Sequence, residues 1–139
     1  MTVRNIAALL AASAFAYAGT AFAHHSFSAE IDAAKPVKLT GIVTKVEWTN
    51  PHVWFYINVK DEATGKVANW GAEMGPPHGL QRSGWRRETL KIGEEVTVDG
   101  YLARNGANRM NARTVTLTST GGRPGQTLDA ASSAGGANQ

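Results

Sequence analysis

Alternation is plainest from His52 to Lys60. There "HVWFYINVK" puts Val53, Phe55, Ile57 and Val59 on one face and His52, Trp54, Tyr56 and Asn58 on the other. A period of two predicts a strand, and its second face carries aromatic rings where solvated polar residues are usual. Upstream, Val37 to Trp48 ("VKLTGIVTKVEW") is rich in β-branched residues and holds Gly41 at a point suited to a bend or bulge. Asn50-Pro51 between the two runs is a turn signal. "DEATG" (Asp61 to Gly65) predicts a hairpin loop, and "KVANWGAEM" (Lys66 to Met74) the returning strand. Pro76-Pro77 opens a short helix that Gly84 stops. Two more strands follow, one with alternating Val96, Val98 and Leu102, the other with Val115 and Leu117.

Three strands, a short helix and two strands predict an all-β domain with one helix, a five-stranded OB-like barrel of order β-β-β-α-β-β spanning residues 37–119. A sandwich would require about seven strands. Residues 24–36 are expected to form an N-terminal extension. From Gly121 the chain is rich in Gly, Ala and Ser with one large apolar residue, Leu128, so residues 120–139 are expected to be a disordered tail.

The first 23 residues change the setting. Arg4 precedes an uncharged, mostly apolar run from Ile6 to Ala18, too short for the roughly 20 residues of a membrane span, and Ala21-x-Ala23 ends it. This pattern predicts a cleavable signal peptide at residues 1–23, a periplasmic protein starting at His24, and no stable membrane anchor after cleavage. Cleavage leaves 116 of the 139 residues, enough for one small domain. With no cysteine, neither disulfides nor a lipidated cysteine can stabilise or tether it. The formal charge is +3, and loss of Arg4 lowers it to +2. Only Arg82, Arg86 and Arg87 cluster, too few for the basic face of a nucleic-acid binder.

An order of segments carries a resemblance: "HHSFSAE", then "GIVTKVEWTNPHVW", "GPP", "LKIGEEVTVDGY" and "NARTVTL". In this the chain resembles an exported proteobacterial family catalogued as a domain of unknown function, 6152, with Trp48-Thr49-Asn50-Pro51-His52 as the most specific stretch. The resemblance implies a small exported β-barrel and no activity. His24, His25, Asn50, Pro51 and His52 fall on the family's motif; His78 stands where variation is expected.

An amino-terminal His24 would offer one metal ion both its α-amine and its imidazole, and the amine loses its proton to a metal far more readily than a lysine does. One further imidazole completes a three-nitrogen set of the histidine-brace kind, which suits Cu(II) among common divalent ions. His52 is one candidate for it, and the segment from His24 to Val37 can extend roughly 40 Å. His25 is the competitor, because adjacent histidines can chelate copper without the barrel. The metal candidates are therefore His24, His25 and His52, with one copper ion as cofactor.

The metal-free alternative is an OB-like module that binds a glycan, a small envelope ligand or a protein through Trp48, Asn50, Trp54, Tyr56 and Trp70, with the clustered arginines contacting an anionic group. Met74 and Met110 are expected in the core. No G-x-S-x-G, H-E-x-x-H or phosphate-cradling glycine pattern is present, and nothing in the spacing brings Glu73 and Asp99 together, so the expectation is a binding protein without catalysis. Intact mass of the exported protein is expected to show a chain beginning at His24; a start at Gly19 or beyond Ser26 would remove the brace.

Overall fold

The computed structural model describes residues 30–118 and 124–132. In chain order the elements are β1 (Ile31–Glu47), β2 (Trp54–Lys60), β3 (Val67–Glu73), α1 (Pro77–Arg82), β4 (Glu95–Ala103), β5 (Arg109–Leu117) and β6 (Gln126–Asp129). The sheet runs β3-β2-β1-β4-β5-β6, and β3 also pairs with β5, in parallel, so the first five strands close on themselves. With α1 between β3 and β4, this is the expected barrel order.

β1 is long because it serves two neighbours. Its residues 36–42 pair with β4 and residues 42–47 with β2, and a register shift between Val43 and Lys45 turns the strand from one partner to the other. Gly41 lies at this crossing. A Cβ there would stand 2.5 Å from the Asn58 carbonyl oxygen, so only glycine admits so close a backbone approach.

The alternation in β2 resolves as the pattern requires: Phe55 and Ile57 are fully buried, while Trp54 and Tyr56 are half-buried on the opposite side. Val43, Met74, Leu80, Val96, Val98, Met110, Val115 and Leu117 complete the interior. Burying an aliphatic or phenylalanine side chain of this kind contributes about 1.5–3 kcal/mol. Both methionines are core residues, each 1% exposed.

Two boundaries differ from expectation. β1 starts at Ile31, inside the segment read as an extension. Ile31 is buried, its carbonyl accepts from Arg104 Nε at 3.1 Å, and Glu30 accepts from the Arg104 backbone N–H at 2.8 Å. The second correction is a sixth strand, which lies in the segment read as a disordered tail. β6 pairs antiparallel with β5, placing Leu128 opposite Val115 and bonding the Thr127 hydroxyl to that of Thr116 at 2.9 Å.

The rest of that docking comes from elsewhere in the chain. The fully buried Trp85 donates its indole N–H to the Asp129 carbonyl at 2.7 Å, Gly75 donates to the Ala130 carbonyl at 2.8 Å, and Ala130 is itself fully buried. The segment's poor composition is thus offset by partners it does not contain. Among the described residues, no helix is long and apolar enough to cross a membrane.

Gly75 is the sharpest test of this docking, because a Cβ on it would fall 2.0 Å from the Ala131 carbonyl oxygen. Gly75→Ala is expected to lower stability by about 1–3 kcal/mol, as overpacking does, and to raise hydrogen exchange in β6 before the barrel opens. Unchanged protection at Leu128 and Ala130 would contradict it.

Candidate functional site

The outer face of β2 is organised by its register. Trp54 lies between Glu47 on β1 and Glu73 on β3, and Tyr56 between Lys45 and Gly71. Residues directly opposite in antiparallel strands share a face, so each ring is flanked by these cross-strand neighbours. Gly71 leaves the ground beside Tyr56 open. From beyond Gly71 comes Arg109, its partner in the parallel β3–β5 pairing, whose guanidinium carbon sits over the Trp54 ring at 4.7 Å from the centroid.

Two hollows flank this stacked pair and share it as a wall. The first, about 360 Å³, lies where β1 enters the barrel and is lined by Glu30, Ile31, Glu73, Arg104 and Met110 besides Trp54 and Arg109. The second, about 290 Å³, lies over β2 and β3 and is lined by Glu47, Tyr56, Asn69, Gly71 and Asn108 besides the same pair.

Beside the first hollow, His52 Nδ1 stands 2.6 Å from Glu73 Oε1. An ionised carboxylate only accepts, so the neutral ring carries its proton on Nδ1 and keeps the lone pair of Nε2 available. The His52 side chain is 39% exposed and that of Glu73 18%, so the ring is anchored at one edge and accessible at the rest. Asn50 and Pro51, joined by a cis peptide bond, lead the chain to this histidine, which lies just ahead of β2.

Around the second hollow the charges are largely satisfied. Glu47 accepts from Lys45 Nζ and, at 3.1 Å, from the Tyr56 hydroxyl. The Lys45 hydrogen bond first and the Tyr56 one second hold the Glu47 carboxyl below the usual carboxylate range, and Glu47 in turn raises Lys45. The Tyr56 phenol is pushed up, first by burial and then by its bond to Glu47. Asn69 is fixed by donating to Thr44 Oγ1 at 3.1 Å and Asn58 Oδ1 at 2.9 Å.

Of the residues expected to bind ligand, Trp54 and Tyr56 line these hollows. Trp48 and Trp70 instead pack against the core, since Trp70 lies opposite Ile57 and therefore on the inner side of β3. Asn50 is exposed in the β1–β2 loop and lines neither hollow. His24 and His25 lie outside the described residues, and so does the segment 1–23. Among the described residues no group of three or more His, Asp or Glu side chains is gathered as a metal cluster. Arg86 and Arg87 donate to the backbone carbonyls of Trp85 and Trp48 and line neither hollow. Glu73 and Asp99 stay apart in function, the former on His52 and the latter 3.2 Å from Lys38.

The fold and this face define a small barrel-like all-β protein whose outer strand face carries aromatic rings, a stacked arginine and a carboxylate-held histidine. The chain belongs to the Family of unknown function (DUF6152), whose model matches residues 11–112, a span that takes in Trp54, Glu73 and Arg109 but not β6. No curated protein matches the chain.

The network around Tyr56 has a measurable sign. A neighbouring carboxylate disfavours the phenolate, so Glu47→Gln is expected to bring the Tyr56 ionisation down towards the ordinary tyrosine range, read from its ring resonance in a pH titration. A midpoint that stays put or rises would show that Glu47 does not act on the phenol.

Proposed function

We propose that this is an exported, periplasmic copper-binding protein in which the processed His24 supplies its amine and ring and His52 supplies the third nitrogen. The observation that carries this reading is the His52–Glu73 pair. A histidine that binds metal commonly donates its other ring N–H to a carboxylate, which sets the tautomer and raises the basicity of the ligating nitrogen. His52 meets that condition, with Nε2 as the nitrogen that would hold copper.

The route of the chain supports it. Glu30 borders the first hollow, whose wall includes the Glu73 that holds His52, and Glu30 lies only six positions beyond His24. An extended segment of that length reaches roughly 20 Å. Bound copper would supply a Lewis-acidic or redox-active centre; this chain's own contribution is to orient the imidazole and keep one nitrogen unprotonated.

Processed protein is expected to take up one Cu(II) tightly with a weak d–d absorption band. His52→Ala is expected to weaken binding by several kcal/mol, Glu73→Gln by about tenfold because the carboxylate charge that makes the ring more basic is gone, and one residue added before His24 to abolish the site while the barrel stays folded. Retained affinity in His52→Ala together with loss in His25→Ala would identify a local His24-His25 chelate instead. Uptake that is weak in the parent and removed by modest competitor would leave the second reading, a metal-free module for a glycan, small envelope ligand or protein, which the two hollows favour.

A further inference from the structure

We infer that the second hollow is a binding site for a small ring-bearing carboxylate of the hexuronate kind, with Arg109 as its anchor. This goes beyond the copper reading and does not depend on it, because neither His52 nor Glu73 lines this hollow.

Arg109 is the first reason. Its guanidinium rests on the Trp54 ring, yet among the described residues this side chain has neither a hydrogen-bond acceptor nor an ion-pair partner; it is the backbone N–H of Arg109 that is engaged, by the Ala107 carbonyl. The stacking fixes the plane of a fork whose donors match a carboxylate in pairs, so part of the ordering cost of binding is already met. A surface arginine with no role usually points into solvent; this one is held over a hollow.

The surroundings exclude the opposite charge preference. Glu47 is the hollow's one acidic side chain, and it is engaged by Lys45 and Tyr56, so it offers an incoming anion little repulsion and an incoming cation little attraction. A carboxylate is therefore the group that this wall selects.

The floor and rim argue for a ring attached to that carboxylate. A Cβ at Gly71 would meet the Tyr56 ring at 3.3 Å and the Trp54 ring at 3.6 Å, so any larger side chain there would enter the space beside the aromatics. Glycine keeps it open. About 290 Å³ approaches the lower end of small-molecule sites, near 300 Å³, which accommodates one saccharide-sized ring and little more. Asn108 is exposed on the rim, its backbone carbonyl bonded to Gly71 N–H at 3.0 Å and its side-chain amide unpaired among the described residues. Such an amide offers both a donor and an acceptor to ring hydroxyls. Apolar ring faces against Tyr56 and Trp54 would complete the set.

The test uses the full processed chain with copper removed by chelator, followed by amide and indole NMR during titration with D-glucuronate, D-glucose and acetate. Glucuronate is expected to give saturable shifts centred on Gly71, Trp54 and Asn108, with acetate at least tenfold weaker and glucose weaker still. Arg109→Gln should raise the glucuronate Kd by about tenfold or more, the loss of a charge-assisted pair, and Arg109→Lys should not restore it, because an ammonium lacks the fork. Asn108→Ala should raise Kd less, and Arg113→Gln, away from the hollow, should leave it unchanged.

Retained amide dispersion in each variant shows that the barrel is intact. No saturable shift with glucuronate, acetate or glucose binding as well as glucuronate, or unaltered affinity in both Arg109→Gln and Asn108→Ala overturns the site. None of these outcomes bears on copper, which the chelator has removed and whose own titration stands or falls on His52.

Discussion

The parallel contact between Gly71–Glu73 and Arg109–Asn111 is the closure on which the molecule depends. Without it β3 and the Arg109–Asn111 part of β5, which β6 does not cover, would be left with unpaired backbone groups in an open, curled sheet; with it the first five strands form a ring. Three members of these pairs, Gly71, Glu73 and Arg109, also belong to the outer face, while Ala72 and Met110 between them are core residues. Closure sets Arg109 beside Gly71, from where its side chain reaches Trp54; the β2–β3 pairing of the same strand sets Glu73 opposite Trp54, from where it holds His52. The strand that closes the fold, β3, is therefore also the one that joins the two halves of the candidate site.

How much of this the sequence discloses depends on the range over which each feature is determined. Alternation within β2 is local, and it correctly separates Phe55 and Ile57 from Trp54 and Tyr56. Placing Trp70 requires the β2–β3 register as well. That register pairs it with Ile57, so a ring that looks like one of a set belongs to the inner side. Glu73 and Arg109 carry no local mark at all. Glu73 meets His52 through the β2–β3 register, which sets it opposite Trp54, and Arg109 meets Trp54 through a closing pairing between residues 38 positions apart; no periodicity encodes either.

The C-terminal segment fails to announce itself for a related reason. Composition tests whether a stretch can bury enough of its own apolar surface to offset its ordering entropy, and 124–132 cannot. β6 is ordered by donors and space that other segments provide: the Trp85 indole N–H, the Gly75 backbone N–H and the interior position that Ala130 fills. Trp85 lies just past α1, outside any alternating run, so neither half of the contact is legible alone. Gly41 is the contrary case. A glycine inside a β-branched run has few explanations, and the bend was visible from it.

The two hollows have a common wall but opposite electrostatic logic. In the first, Glu73 is exposed enough to hold a histidine, and a histidine so held presents a lone pair, which attracts a cation. In the second, Glu47 is spent on Lys45 and Tyr56 while Arg109 has no counter-ion among the described residues, which attracts an anion. A metal ion and a carboxylate would thus be drawn to neighbouring places on either side of Trp54 and Arg109 without competing for a ligand atom. Since the guanidinium is held by stacking and not by an ion pair, an anion on one side need break no salt bridge to engage it. The stacked pair therefore separates the two chemistries.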